Sequence, residues 1–103
     1  MISEKMAIAI NTQVNREMYS AYLYLAMSAY SESIDLPGFA NWFRIQYQEE
    51  MVHAFGLYDY LISRDYTPVL LAIEQPPKAF GTPLEIFKAA LEHEKKVTAW
   101  INE

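Results

Sequence analysis

Glu17, Glu50, His53 and Glu94 are the residues whose types and spacing could do chemistry in this chain. Glu17 lies seven residues after Ile10 and seven before Tyr24, on one helical stripe with Val14 and Ala21. Glu50 and His53 are three apart and share a face with Phe43 and Leu57, while Glu94 is seven from both Phe87 and Ile101. Three carboxylates and an imidazole are thus expected to point where apolar side chains point, into one interior. Burying one ionised carboxylate is costly, and three together repel and take up protons unless positive charge sits among them. No Lys or Arg shares these stripes near the four residues, so one or two divalent cations would have to supply that charge. The alternative, Glu17 and Glu94 at helix edges reaching into solvent, is opposed by their stripe positions.

The elements that must position these residues are three helices. From about residue 3 to 32 no Pro or Gly interrupts the chain, and Met6, Ile10, Val14, Ala21, Tyr24 and Ser28 recur at helical spacing. Asp35, Pro37 and Gly38 mark a short turn, so the next helix, about 39 to 64, is an antiparallel neighbour with Phe39, Phe43, Gln46, Glu50, His53, Leu57 and Leu61 on one face. Residues 66 to 81 have no sustained period and contain Pro68, Pro76 and Pro77; they are expected to form a crossover. A helix of about 26 residues is roughly 39 Å long, and about 16 extended residues span roughly 50 Å. The crossover can therefore return along the whole bundle and leave the second and third helices parallel, with Val69 to Ile73 packed on the bundle or on a neighbouring subunit. A short edge strand there would have no partner strand. Thr82-Pro83-Leu84-Glu85 is a capping box that opens a third helix, about 83 to 103, with a core stripe of Leu84, Phe87, Leu91, Glu94, Thr98 and Ile101. No Gly or Pro closes it, so its end reads as a cut and the third helix as incomplete.

With 103 residues, 52% hydrophobic and 15% aromatic, the chain is expected to be one compact domain over residues 1 to 103. A formal charge of −5 argues against nucleic acid, whose phosphates need a basic face. The lack of cysteine leaves only oxygen and imidazole as metal ligands, a set that suits iron, manganese or zinc. The N-terminus has no basic region followed by an apolar run, and no segment is apolar for long enough to span a bilayer; no membrane partner and a cytoplasmic location are expected.

Helix bundles that bind two metal ions use a Glu from each of two helices and Glu-x-x-His from each of two others. This chain offers Glu17, Glu50 with His53, and Glu94, which is three helices out of four. Tyr24, two turns from Glu17, could hydrogen-bond a metal-bound carboxylate or donate an electron, or be an ordinary core tyrosine. Met51 could ligate haem at a subunit interface, but reads better as a packing methionine. His93 falls one position off the stripe and is expected in solvent; Glu49 could hold a further metal or simply be exposed. Tyr19, Tyr22, Tyr30, Trp42, Tyr47 and Tyr58 exceed what one small core needs and suggest subunit contacts.

The stretches from Asn15 to Tyr24, Gly38 to Phe43, Gln48 to Ala54 and Ala90 to Thr98 resemble prokaryotic and archaeal non-haem ferritins in order and spacing, across essentially the whole chain. The resemblance implies an all-α, ferritin-like four-helix bundle, of which this chain carries three helices and the crossover. It implies iron storage and detoxification: oxidation of Fe(II) by dioxygen or peroxide at a di-iron ferroxidase site, and deposition of ferric mineral in a homo-oligomeric shell of 24 subunits. By that resemblance Glu17, Glu50 and His53 bind the first iron, Glu50 and Glu94 the second, Glu50 bridges, Tyr24 stands beside the site, Glu49 matches a third iron position, and no haem is expected. The fourth helix and a short fifth helix are missing, with the Gln or Glu and the further Glu that complete the second iron. The first iron is therefore expected to bind better, and the stripes of all three helices need a cover. A structural half-ferritin that assembles through those stripes with little or no iron oxidation is the alternative. A di-iron reductase of the rubrerythrin type is disfavoured by the lack of cysteines.

Overall fold

A computed structural model describes residues 2–101, and among them there are three helices and no strand. The side chain of Ile101, together with Asn102 and Glu103 at the end of the expected third helix, lies outside that description. Helix α1 runs Glu4–Ser33, α2 Pro37–Ser63 and α3 Pro83–Ile101. None of them is long and apolar enough to cross a membrane.

Local chemistry sets the helix ends. Ser3 caps α1 by accepting the Met6 N–H on its hydroxyl. Both α1 and α2 end through an aspartate in the left-handed region, Asp35 at φ 60° and Asp65 at φ 63°. Asp tolerates this conformation better than most residues. After α1 the Asp35 N–H reaches the Glu32 carbonyl and the Leu36 N–H the Ser31 carbonyl; after α2 Asp65 reaches Ile62 and Tyr66 reaches Leu61. These paired bonds are the Schellman pattern that satisfies a helix's last carbonyls. The capping box of α3 is formed as expected: Glu85 N–H donates to Thr82 Oγ1 at 3.3 Å, and Thr82 N–H to Glu85 Oε1 at 3.1 Å. Gly81 precedes it at φ 84°, a left-handed conformation that favours glycine, and a Cβ there would meet the Glu85 carboxyl at 2.7 Å and push aside the side chain that closes the capping box.

Helices α1 and α2 form an antiparallel hairpin along their full length. Ala7, Val14 and Leu61 are buried at one end, and Leu23, Tyr24, Met27 and Phe43 at the other. Ser28 Oγ donates to the Ala40 carbonyl at 2.7 Å, which ties the two helices near their connection. Met6, expected in the stripe, is exposed and Ala7 takes the buried place.

Residues 64 to 82 return alongside α1, and the contact order gives their direction: Val69 meets Asn11, Leu71 meets Asn15, and Gly81 meets Tyr30. Helix α3 then reverses, with Ile86 and Ala90 against Leu23, Tyr24 and Met27, and His93 against Ser20. It is antiparallel to α1 and parallel to α2, as the length of the crossover predicts.

The crossover is held by its backbone. Asn11 accepts the Val69 N–H at 2.8 Å and donates to the Val69 carbonyl at 3.1 Å; Asn15 accepts the Leu71 N–H at 2.9 Å and donates to the Val69 carbonyl at 3.0 Å. Both asparagines are buried, and their amides supply the donors and acceptors that a neighbouring strand would. Replacing Asn15 with leucine, which keeps the branched skeleton but not the amide, strips the Leu71 N–H of its partner. A loss of about 1–3 kcal/mol is expected in urea unfolding, and an unchanged midpoint would show that the ladder contributes nothing.

The third helix differs from the sequence expectation. Leu84, Phe87 and Leu91 are 63%, 47% and 58% exposed, while Ile86, Ala90 and His93 face the hairpin. Two apolar rows run along α3, and the one carrying the smaller Ala90 allows the close approach to α1. The row of large side chains stays about half exposed or more, with Phe87 meeting Phe39 of α2 edge-on at 4.8 Å.

Candidate metal centre

Helix α1 contributes Glu17 from the middle of its buried row, and α2 contributes Glu50 and His53 from one face, three residues apart. One ligand atom from each of the three lies within 4.8 Å of the others. His53 Nδ1 is 3.8 Å from Glu17 Oε2 and 3.9 Å from Glu50 Oε2. Those separations are too long for hydrogen bonds. They suit two ligands of one cation, each about 2.0–2.2 Å from it.

Glu50 Oε2 is buried and has no hydrogen-bond partner. A buried acceptor left unmet is uncommon and costly, and here it faces the imidazole nitrogen and the Glu17 carboxylate. The Glu50 carboxyl is pushed up to about 8, first by burial, then by the adjoining Glu17 carboxyl, then by the negative charges of Glu94 and Glu49. Metal-free, the site meets its excess charge by holding a proton on Glu50, and a cation would take that proton's place. The residues present therefore fit a divalent metal. Gln13, which the sequence reading passed over, donates to Glu17 Oε1 at 2.8 Å and orients that carboxylate, leaving Oε2 toward His53. The signal was present in the four-residue spacing of Gln13 and Glu17 on one helix.

Glu94 is placed differently. It is exposed and stands outside the group of three, near enough for its charge to act on Glu50. Its Oε1 accepts the hydroxyl of Tyr24, whose side chain is buried and stacked on Phe43 at 6.2 Å. Burial, the hydrogen bond to Glu94, and the carboxylates of Glu94, Glu50 and Glu17 push the Tyr24 phenol far up. It is a hydroxyl donor at neutral pH. The expectation that all four residues face one enclosed interior needs correction. Glu17 is buried and Glu50 half-buried, but the His53 side chain is 62% exposed and Glu94 lies at the surface, because α3 leans on the hairpin on one side and leaves the other open.

His93 also departs from expectation. It is buried, not solvated, with Nε2 2.7 Å from Ser20 Oγ and the rings of Tyr19, Tyr24 and Trp100 around it at 5.8–5.9 Å. Burial pushes its imidazole down, which outweighs the opposing pull of Glu94, so it is neutral at pH 7. Glu49 is exposed on α2. Met51 is half-buried and lines a groove with Met18, Tyr22, Tyr47 and Ile73.

Comparison with known proteins agrees with this architecture. The Ferritin family profile, a ferritin-like domain, matches residues 8–103. The bacterial non-heme ferritin of Bacteroides fragilis is 45% identical over 102 residues, covering 99% of this chain and 64% of that protein. That of Staphylococcus epidermidis is 38% identical over 98 residues, covering 95% and 59%. The crystal structure of an open pore ferritin from the hyperthermophilic archaeon Archaeoglobus fulgidus superposes with a TM-score of 0.94 at 48% identity, over 99% of this chain and 63% of that one. The chain thus spans somewhat under two thirds of the length of these relatives. With that profile matching residues 8–103 and the helices superposing on a solved ferritin, the chain belongs to the ferritin-like domain family.

Proposed function

We propose that this chain is a ferritin subunit that binds Fe(II) as substrate and promotes its oxidation by dioxygen or peroxide, in the service of iron storage and detoxification. The observation that carries the reading is the buried Glu50 Oε2 without a hydrogen-bond partner beside Glu17 and His53, a donor set that fits one divalent cation. Glu17, Glu50 and His53 hold the first iron. Glu50 and Glu94 hold the second, with Glu50 shared and the Tyr24 hydroxyl orienting Glu94. Each Fe(II) gives one electron to the oxidant, and the carboxylates stabilise the higher charge of the ferric product. The ferric product is then deposited as mineral within a homo-oligomeric shell.

Aerobic addition of Fe(II) to the chain is expected to raise absorbance at the ferric-oxo band well above the buffer rate. Oxidation at the buffer rate by a protein of intact helicity would overturn the reading. One observation favours a second reading, assembly without oxidation: Trp42, Ile45, Val52 and Phe55 on α2 and Leu84, Phe87 and Leu91 on α3 are exposed, more apolar surface than a lone subunit keeps in water. Negligible oxidation by an assembled oligomer would select it.

A further inference from the structure

Helix α3 reaches the hairpin through Ile86, Ala90 and His93. The buried Ile86 and Ala90, and Phe87 edge-on to Phe39 of α2 at 4.8 Å, choose the face that α3 turns to the hairpin but, being apolar, set its exact angle only loosely. Two polar contacts set it more tightly. His93 meets Ser20, and the next residue, Glu94, accepts the hydroxyl of Tyr24, one turn further along α1. Successive residues on a helix diverge by about 100°, so contacts from 93 and 94 together fix the rotation that either alone leaves free.

The Ser20–His93 contact is built from buried groups. Ser20 is fully buried and His93 nearly so. The Ser20 hydroxyl donates to the Arg16 carbonyl at 3.1 Å, which assigns the remaining role: His93 Nε2–H donates to Ser20 Oγ at 2.7 Å. The rings of Tyr19, Tyr24 and Trp100 wall the imidazole in, and the Arg16 guanidinium lies 5.1 Å over the Trp100 ring. The residue that orients Glu94 therefore rests on the same helix that carries Glu17 and Tyr24.

We propose that His93 is a positioning residue for Glu94: its hydrogen bond to Ser20 sets the rotation of α3 and so brings the Glu94 carboxylate to the second metal position. This rests on the reading that Glu94 is a metal ligand. The group of Glu17, Glu50 and His53 lies wholly on the hairpin and does not depend on the rotation of α3.

Anaerobic titration of the full chain with Co(II), followed by its visible absorbance, separates the two positions. Wild type is expected to take two ions per chain, and Glu94→Ala one. His93→Leu and Ser20→Ala are each expected to weaken the second ion about tenfold or more while the first binds as in wild type. His93→Gln, whose amide can donate to Ser20 Oγ, should recover most of the loss. Ser20→Ala, a small change to a good helix former, decides the matter if His93→Leu does not fold. Wild-type binding of the second ion by Ser20→Ala and His93→Leu, when Glu94→Ala loses it, overturns the positioning role and leaves Glu94 a ligand. Equal weakening of both ions marks a general structural effect and also overturns it. Two ions bound by Glu94→Ala would remove both the role of His93 and the reading beneath it.

Discussion

Replacing Glu50 with alanine is expected to slow Fe(II) oxidation by on the order of 100-fold or more, because under the proposed function it removes the one ligand that both metal positions would use. Loss of a residue that merely orients a ligand already costs about 10–100-fold in metal affinity or activity, and a shared ligand should cost at least that. Glu50 also lies beside Glu17 and His53 and feels the charge of Glu94. His53→Ala is the control, since it reaches only the first position and should leave partial Co(II) binding. Stopped-flow absorbance after mixing Fe(II) with aerobic protein reads the effect. A Glu50→Ala protein that oxidises iron at the wild-type rate would show that the chemistry lies elsewhere.

The second large effect concerns stability without metal. The folded Glu50 carboxyl is raised to about 8 from an ordinary 4.5, with burial as the first cause and the neighbouring carboxylates behind it. Between those values the folded chain holds a proton that the unfolded chain has released, so unfolding stability falls as pH rises from about 4.5 to about 8 and levels off above. The site is half open to water, and screening reduces the fall to on the order of 1–3 kcal/mol. Glu50→Gln, which cannot ionise, should flatten the slope and make the metal-free protein more stable than wild type at pH 8, while losing the metal. Urea unfolding of both proteins at pH 5 and pH 8, in the presence of a chelator, is the measurement. Equal slopes would mean that Glu50 carries no excess proton.

Glu17 and Glu50 were legible in the sequence because each interrupts an apolar row, and a charge in such a row has few explanations. The hairpin was legible for a related reason: a long uninterrupted helical period, three turn residues, then another. His93 was not, because it falls one position off the row through Phe87, Leu91 and Glu94 that reads as the core stripe. What buries it is the small Ala90 one turn earlier, which lets α3 close on α1, and nothing in the local pattern says which apolar row will be chosen. Asn11 and Asn15 were overlooked because their partners are backbone groups 58 and 56 residues away. A backbone N–H carries no side-chain signature, so a residue dedicated to it looks like any polar residue on a helix.

That same anonymity has a consequence for the crossover. Asn11 and Asn15 grip Val69 and Leu71 by main-chain atoms, and every residue except proline presents the same N–H and carbonyl. The side chains of Val69, Leu70 and Leu71 remain at least half exposed. How the segment is fastened and what it displays are therefore independent variables: its outward sequence can change while the path of the chain, and the start of α3 that follows from it, stays where it is.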